Sequence, residues 1–237
     1  MTNLVLIAKE TLPGKVKTRL HPPLSLEQAA ELAAASITDT LAATSCLHAT
    51  SRILAFDGDP ANVPAGSEHF YVLPQVEGTL DMRLGAIFDA CQGPTVLIGM
   101  DTPQLCTSDL TPAFEFWPDD IDAWFGPASD GGFWALGLKN PTGDLLRGIP
   151  MSQSDTGRLQ LQRLVDAGLR VGMLRELTDV DTINNAFEVA AIAPNGQFAS
   201  TLESFGFDKD SFASADSLVT NESLTSDDSL VSEDSFV

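Results

Sequence analysis

Short apolar runs alternate with long helix-forming stretches along most of this chain, and this alternation limits the possible folds more than any other feature. The runs "NLVLIA" at 3–8, "SRILAF" at 51–56 and "PTVLIG" at 94–99 have the length of strands and are mostly apolar. Strands of this kind are covered on both faces, as in parallel sheets flanked by helices. The sequence therefore predicts an α/β fold with a mostly parallel sheet and helices on both faces.

The segments between these runs are rich in good helix formers. The first begins at Ser25 and has Gln28 three residues later, which is the spacing of a capping box at a helix N-terminus. The later segments are predicted, in chain order, as a strand at 70–74, a helix at 78–91, a strand at 94–99, a helix at 108–117, strands at 122–127 and 133–138, a helix at 155–168, a strand at 170–175 and a helix at 182–191.

The composition changes near residue 203, where the predicted domain at 1–202 gives way to an acidic, Ser-rich segment at 203–237. From Asp210 onward, an acid, a Ser and then Leu or Phe return every six residues. On a helix this period turns the apolar side chain by about 120° per repeat, so no apolar stripe forms. We expect a disordered tail, because so few apolar groups cannot offset its ordering entropy. The alternatives are docking on a protein partner or modification at Ser.

Charge and cysteine content exclude several classes of protein. The chain has 33 acids and 13 bases, a net charge of −20, and about −12 remains for residues 1–202 once nine acids and one Lys of the tail are removed. Such a domain repels nucleic acid, so DNA is not an expected partner. Three scattered cysteines without a C-x-x-C pair favour neither a disulfide framework nor a structural zinc. With neither an apolar run of about 20 residues nor a signal peptide, we expect a cytoplasmic protein without a membrane span.

Charged residues follow four of the predicted strands. The loop at 9–19 follows the first strand and holds four of the 13 bases, while Asp57, Asp101 and Asp130 follow later strands. In open parallel sheets, ligands bind beyond the carboxyl ends of the strands. The sequence therefore predicts a binding site at this rim.

Basic side chains and carboxylates on one rim suit a phosphorylated ligand with a divalent metal. Without a metal, Asp101 and a phosphate about 4 Å apart repel by roughly 4 kcal/mol per charge pair at an effective dielectric of 20. Magnesium prefers one or two carboxylates together with phosphate oxygens, so we expect Mg²⁺ or Mn²⁺ as cofactor. Lys17 and Arg19 would share one side of an extended loop and could grip phosphate there.

Several familiar nucleotide and hydrolase motifs do not occur in the sequence. There is no G-x-x-x-x-G-K-[ST] loop, no G-x-G-x-x-G after the first strand and no G-x-S-x-G elbow. A P-loop enzyme, a dinucleotide-binding dehydrogenase and a serine hydrolase are therefore disfavoured.

Five ordered motifs resemble one family. They are "AKETLPGKVKTRL", "QVEGTLDMRL", "LIGMDTPQL", "GPASDGGFWALGL" and "LTDVDT", and together they cover about residues 3 to 190. They are similar to the motifs of the DUF2064 family, glycosyltransferase-like proteins of the nucleotide-diphospho-sugar transferase superfamily. The resemblance implies a Rossmann-like glycosyltransferase A fold, a nucleotide-sugar donor, an unknown small-molecule acceptor and a metal.

The resemblance also implies roles for particular residues. Asp130 is expected as an acceptor-side base, with Gly131 and Gly132 beside the acceptor. The remaining residues fall into a phosphate-binding group, Lys9, Gly14, Lys17, Arg19 and Arg83, and a metal-binding group, Asp101, Asp179 and Asp181.

Four positions depart from the pattern of the family. Thr11 replaces a Pro, Thr102 a common Cys, Met151 a frequent Trp, and Asn185 the last Asp of D-V-D-T-P-x-D. The Met151 change bears on substrate choice, and the Asn185 change on whether the site is complete.

Two other functions remain open at this point. "KVKTRL" and the D-x-P strand end also resemble the 2-phospho-L-lactate guanylyltransferase group, which implies a nucleotidylyltransferase acting on a nucleoside triphosphate. The tail repeat and the departures at Met151 and Asn185 allow a non-catalytic nucleotide-binding protein that presents its tail to a partner. The metal-dependent glycosyltransferase is the prediction we carry forward.

Overall fold

A computed structural model describes residues 1–115 and 117–207 of the chain. The strands are β1 Thr2–Lys9, β2 Ala49–Asp57, β3 Tyr71–Pro74, β4 Thr95–Ile98, β5 Ala123–Pro127, β6 Phe133–Leu138 and β7 Val171–Met173. The α-helices are α1 Leu26–Thr44, α2 Leu80–Ala90, α3 Thr107–Phe114, α4 Thr156–Asp166, α5 Ile183–Ile192 and α6 Gln197–Ser204. Short 3-10 helices lie at Thr18–Leu20, Pro60–Asn62 and Gly143–Leu145.

Within the described residues the strands form one seven-stranded sheet in the order β3-β2-β1-β4-β6-β5-β7. β6 is antiparallel to both of its neighbours, whereas the other pairings are parallel. Only five residues, 128–132, connect β5 to β6, and so short a connection can join only antiparallel strands. The predicted α/β fold with a mostly parallel sheet is confirmed.

Apolar side chains pack on both faces of the sheet, as the mostly apolar strands predicted. Leu4 and Leu6 of β1 point to the face covered by α1 and α3, while Val5 points to the face covered by α2 and α4. This alternation follows from the two-residue period of a strand. Because both faces are occupied, the polar end groups of the strands are left at the edge of the layers, where a ligand can reach them.

The two ends of α1 show what local sequence predicts and what it does not. At its start, Ser25 and Gln28 form the predicted capping box, with each side chain bonded to the backbone of the other residue. Near its end, Asp39 accepts hydrogen bonds at 2.8 Å from the backbone N–H groups of Gln197 and Phe198, which cap α6. Helix α6 was not predicted, because its capping acid lies far away in the chain.

The predicted boundary at residue 202 falls inside α6, which continues to Ser204. The prediction of a disordered, acidic tail concerns mainly residues 208–237, and these lie outside the described residues. In the described part of the chain, no helix combines the length and the apolar character needed to cross a membrane.

Candidate active site

A cleft of about 710 Å³ opens at the carboxyl ends of the parallel strands. Its walls are built by the ends of β1, β2 and β4, by the turn after β5 and by loops before α4 and α5. Eight of the eleven predicted site residues line it: Lys9, Arg19, Arg83, Asp101, Asp130, Gly132, Asp179 and Asp181. Charges that are far apart in sequence are therefore brought together at this rim.

Lys17 lies beneath the cleft, in the middle of three carboxylates. Its Nζ is 2.8 Å from Oδ1 of Asp101 and 3.6 Å from Oδ1 of Asp181, and it donates a hydrogen bond to the carbonyl of Val180. Only 8% of the side chain is exposed. Burial acts to lower the pKa of Lys17, but the charges of Asp101, Asp181 and Asp179 outweigh it and raise that pKa, so the ammonium stays charged.

The backbone of Lys17 is also unusual. Its φ angle is +47°, in the left-handed region that residues other than glycine seldom adopt. The following residues, Thr18–Leu20, form a 3-10 helix, so this segment is not the extended loop that we expected. Lys17 directly precedes this helix, and its ion pair with Asp101 holds the side chain there.

Asp179 is a largely buried acid in the company of other acids. Its pKa is raised to about 7, first by burial and then by the neighbouring charge of Asp101, and Lys17 only partly opposes this rise. Asp130 and Asp181 make smaller contributions in the same direction. Lys17 therefore does not neutralise the acids around it, and the rim retains an excess of negative charge.

The loop that carries Asp179 and Asp181 is held beside β4 by three contacts. Val180 N donates to the carbonyl of Asp101 at 3.0 Å, the buried side chain of Gln104 donates to the carbonyl of Thr178 at 2.8 Å, and Lys17 donates to the carbonyl of Val180. Sequence reasoning missed Gln104. In the sequence, Gln104 is only a polar residue shortly after Asp101. Its burial becomes visible only in the fold.

Arg19 differs from Lys17 in its surroundings, although both meet Asp181. Its Nη1 is 3.0 Å from Oδ2 of Asp181, and 70% of the side chain is exposed. Arg19 can therefore turn toward a ligand at little cost, because an exposed ion pair is weak. Lys17 has no such freedom.

At the other end of the cleft, Gln75 joins the ends of β1 and β2. Its Nε2 donates to the carbonyls of Ala8 and Ala55, at 3.0 and 2.9 Å. Its Oε1 accepts from Nη1 of Arg83 at 3.3 Å, and the same Nη1 lies 2.7 Å from Oδ2 of Asp57. Arg83 is therefore a positioned cation of the cleft wall.

Lys9, at the end of β1, is exposed and lines the cleft. Across residues 1–115 and 117–207, no hydrogen bond or ion pair of its ammonium group is found. Among the predicted phosphate-binding side chains, Lys9 is therefore the one whose charge is most available to a ligand. Gly14 has a positive φ of 74° but does not line the cleft.

The turn after β5 brings Asp130 to the cleft. Its Oδ1 accepts a hydrogen bond from the N–H of Gly132 at 2.8 Å, and the side chain is exposed. Gly131 has a φ of +88°, and a Cβ there would lie 1.9 Å from the carbonyl oxygen of Ser154. Glycine is thus required at 131 for close approach to the chain's own segment before α4, whereas the resemblance implied closeness to an acceptor.

Asn185, which stands where the family pattern has Asp, has a structural role at the start of α5. Its Oδ1 accepts from the N–H and the hydroxyl of Thr182, and its own N–H donates to that hydroxyl. The pair forms the capping box of α5. Both residues line the cleft, so the cap also shapes its wall.

The donors at this rim match a hard divalent cation in chemistry, since they are carboxylate oxygens with an excess of negative charge. Within the described residues, no three His, Cys, Asp or Glu side chains are already arranged to hold a metal ion. Magnesium, however, takes one or two carboxylates and completes its shell with phosphate oxygens and water. Asp101, 39% exposed, and the neighbouring Asp179 and Asp181 therefore fit a metal that arrives with a nucleotide.

Comparison with known proteins finds one matching family model and several solved structures of similar fold. Residues 39–153 match the model of a family described as "Uncharacterized protein conserved in bacteria (DUF2064)". The structure is similar to that of a "putative nucleotide-diphospho-sugar transferase" from Desulfovibrio desulfuricans G20, with a TM-score of 0.72 and 24% identity, covering 86% of this chain and 94% of that one. No curated protein matches the chain significantly in sequence.

Two nucleotide-using enzymes share the fold more distantly. One is 2-C-methyl-D-erythritol 4-phosphate cytidylyltransferase from Thermus thermophilus, with a TM-score of 0.50 and 15% identity over 82% of this chain and 100% of that one. The other is CMP:2-keto-3-deoxy-manno-octonic acid synthetase complexed with CTP, with a TM-score of 0.50 and 13% identity over 81% and 98%. The chain thus shares the α/β fold of these three structures.

Proposed function

We propose that this chain, which belongs to the DUF2064 family, is a metal-dependent glycosyltransferase that uses a nucleotide-diphosphate sugar. The observation that carries the proposal is the group of Asp101, Asp179 and Asp181 in the lining of the cleft. Three carboxylates share one buried cation, Lys17, and the charge of Asp101 adds to burial in raising the pKa of Asp179. A site of this kind attracts a divalent cation, and the cation in turn allows a diphosphate to approach.

The proposed roles follow from the position and freedom of each side chain. Asp101 and Asp181, with Asp179, would hold the metal, which supplies charge neutralisation to the departing nucleoside diphosphate. Lys9 and Arg19 are exposed cations at the same rim and would bind the phosphates. Lys17 is nearly buried and would position the carboxylates of Asp101 and Asp181 without contacting the ligand.

Arg83 is suited to a part of the donor away from the metal. It is fixed by Gln75 and Asp57 at the ends of β2 and β3, whereas the carboxylate group lies beyond β4. Neighbouring strands are about 4.8 Å apart, so β2 and β4 are separated by roughly 10 Å. The cleft can therefore hold an extended donor between a positioned cation and the metal site.

A nucleotidylyltransferase is the second candidate, and the shared fold with two cytidylyltransferase-type enzymes favours it. In that reaction the acceptor attacks the α-phosphate of a nucleoside triphosphate and pyrophosphate leaves. The same cations and carboxylates could serve it. The products separate the candidates, because a glycosyltransferase releases a nucleoside diphosphate and no pyrophosphate.

The first experiment is calorimetric titration of the purified chain with UDP, GDP, CDP and ADP, with and without Mg²⁺ or Mn²⁺. The proposal expects one of them to bind at least tenfold more tightly with metal. Asp101→Asn should remove that metal dependence, because an amide is a poor ligand for a hard cation. Asp119→Asn, which removes the same charge from a fully exposed acid outside the cleft lining, is the matched control.

Product analysis then decides between the candidates. Release of UDP, GDP, CDP or ADP from the corresponding nucleotide sugars supports the glycosyltransferase. Release of pyrophosphate from nucleoside triphosphates, without reaction of nucleotide sugars, would replace it by the nucleotidylyltransferase. Binding without either reaction, over a broad acceptor panel, would leave the non-catalytic nucleotide-binding protein.

A further inference from the structure

The segment Met151–Ser154 forms a wall of the cleft that the roles proposed above leave unused. All four of its residues line the cleft, and Ser152, Gln153 and Ser154 are exposed. In the described part of the chain, no hydrogen bond of their side chains is found. The wall therefore offers two hydroxyls and one amide to whatever enters the cleft.

This wall stands directly beside Asp130. The turn that carries Asp130 touches the segment through backbone, since a Cβ on Gly131 would meet the carbonyl oxygen of Ser154 at 1.9 Å. A second contact comes from the N–H of Gly157, which donates to the carbonyl of Gly131 at 2.8 Å. A molecule bound against the wall would therefore lie next to the Asp130 carboxylate.

The backbone of the wall is fixed even though its side chains are free. Thr156, which is buried, donates from its hydroxyl to the carbonyl of Pro150 at 2.8 Å and accepts from the N–H of Gln153 at 3.1 Å. Upstream, the N–H of Gly148 donates to Oδ2 of Asp81 at 2.8 Å. The backbone of a surface held in this way loses little freedom when a ligand binds to it.

The backbone angle of Ser152 is a further indication that this segment is a ligand site. Its φ angle is +58°, in the left-handed region where a residue with a Cβ is uncommon. Strained residues of this kind persist where the surrounding structure enforces them, and they concentrate at ligand sites. Here the anchors at Gly148 and Thr156 enforce the bend.

The charges around the wall select against an anionic ligand. In the described residues, the basic side chains that line the cleft are Lys9, Arg19 and Arg83, and none belongs to the wall. The nearest bases along the chain, Arg147 and Arg158, are both paired with acids and do not line the cleft. A phosphate or carboxylate at the wall would face Asp130, and the wall itself supplies no compensating cation.

The apolar residues beside the wall complete its chemistry. Phe133 and Met151 line the cleft next to the hydroxyl and amide groups and are partly exposed. A surface with an aromatic ring on one side and uncharged polar groups on the other suits a molecule with both C–H faces and hydroxyls. Sugars and other polyols have this character.

We infer that Met151–Ser154, with Phe133 and Asp130, is an acceptor subsite for a neutral, hydroxyl-rich molecule. This inference rests on the proposed glycosyltransferase function. In the reaction, the acceptor oxygen bonds to the anomeric carbon, the bond from that carbon to the diphosphate oxygen breaks, and the nucleoside diphosphate leaves with the electron pair. The acceptor proton passes to Asp130, whose Oδ1 is already oriented by the N–H of Gly132.

The test follows the methyl signal of Met151 by NMR in protein labelled at its five methionines. Glucose and glycerol are the neutral probes, and glucose 6-phosphate and glycerol 3-phosphate are their anionic partners. We expect the neutral probes to shift the Met151 signal saturably and to bind at least tenfold more tightly than the phosphates. Met173, which is exposed and outside the cleft lining, is the internal reference.

A charge substitution makes the test independent of the natural acceptor. Gln153→Lys should reverse the preference, so that the phosphorylated probe of each pair binds more tightly than the neutral one. Gln162→Lys, an exposed position on α4 outside the cleft lining, places the same charge elsewhere and should change nothing.

The outcomes separate this inference from the proposed function. Nucleotide binding with metal, measured by calorimetry on the same sample, tests the proposed function alone. If a nucleotide binds while the phosphorylated probes bind the wild-type wall as tightly as the neutral ones, the inference is overturned and the proposed function stands. The inference is also overturned, and the proposed function stands, if a nucleotide binds and no probe shifts the Met151 signal with or without that nucleotide.

Discussion

Nζ of Lys17 lies 2.8 Å from Oδ1 of Asp101, and this pair joins the loop after β1 to the end of β4. The lysine is nearly buried, whereas the carboxylate keeps part of its surface toward the cleft. A cation enclosed on the protein side leaves the outer side of the carboxylate free for a metal. Lys17 therefore organises the site, and the exposed cations Lys9 and Arg19 are left to meet the ligand.

Lys17→Met should destabilise the protein. Removing one partner of a buried ion pair leaves Asp101 without its counter-charge, and the loop at Val180 loses a hydrogen bond. We expect a loss of roughly 2–4 kcal/mol in the free energy of unfolding, below the full range for such pairs because Asp101 is partly exposed. Urea denaturation measures it. An unchanged midpoint together with weaker nucleotide binding would instead assign Lys17 to the ligand.

Arg19→Ala should weaken nucleotide binding and leave the stability of the protein nearly unchanged. Its ion pair with Asp181 is exposed, so the free energy of unfolding should change by less than about 1 kcal/mol. Charge-assisted bonds to phosphate are worth roughly 1.5–3 kcal/mol, so nucleotide affinity should fall about tenfold to a hundredfold. Lys15→Ala, another exposed base of the same loop that does not line the cleft, is the control. Equal effects of the two substitutions on affinity would contradict a specific phosphate contact at Arg19.

Asp179→Asn should stabilise the ligand-free protein at high pH. The folded-state pKa of Asp179 is raised to about 7, so between its ordinary value of 3.8 and about 7 the folded chain holds a proton that the unfolded chain has lost. The contribution of Asp179 to stability is therefore lost as pH rises through this window. Above about pH 7 the folded chain carries a charged, largely buried Asp179, which lowers the free energy of unfolding. The variant should melt higher than wild type at pH 8, by roughly 2–4 °C per kcal/mol relieved, with little difference at pH 4.

The same pair of proteins tests the metal site. If Asp179 holds a metal, Mg²⁺ with nucleotide should raise the melting temperature of the wild type at pH 8 more than that of Asp179→Asn, because the bound cation relieves the repulsion among the acids. A variant that melts lower than wild type at pH 8 without ligand would show that the Asp179 carboxylate is stabilising, contrary to its raised pKa.

Much of the fold could be predicted because its signals are local. The apolar runs predicted the strands, and the spacing of Ser25 and Gln28 predicted the start of α1. The antiparallel direction of β6 follows from the short connection at 128–132, although its apolar pattern resembles that of the parallel strands. Helix α6 was missed because its cap, Asp39, belongs to another helix.

The site was predictable in composition but less so in arrangement. Carboxylates and bases at strand ends showed that a polar rim exists, since parallel strands end at one edge. Which base is buried could not be predicted, because Lys17 and Arg19 are two residues apart and alike in charge. The difference arises from the 3-10 helix at Thr18–Leu20 and from Val180, a partner distant in the chain. Gln104 and the wall at Met151–Ser154 became visible only through such long-range contacts.

Gly131→Ala should cost more stability than a glycine substitution at a comparable backbone angle. Gly131 and Gly168 have φ angles of +88° and +78°, but a Cβ at 131 would lie 1.9 Å from the carbonyl oxygen of Ser154, whereas at 168 nothing lies within 4 Å. Both variants carry the strain of a left-handed residue, about 1 kcal/mol, and only Gly131→Ala adds a backbone clash. We expect its loss in the free energy of unfolding to exceed that of Gly168→Ala by at least about 1 kcal/mol in urea denaturation. The clash should also push Ser154 away from Asp130 and weaken neutral probes at the Met151–Ser154 wall, while Gly168→Ala leaves them unaffected. Equal losses for the two variants would mean that the turn and the wall are not in the contact that the proposed acceptor subsite requires.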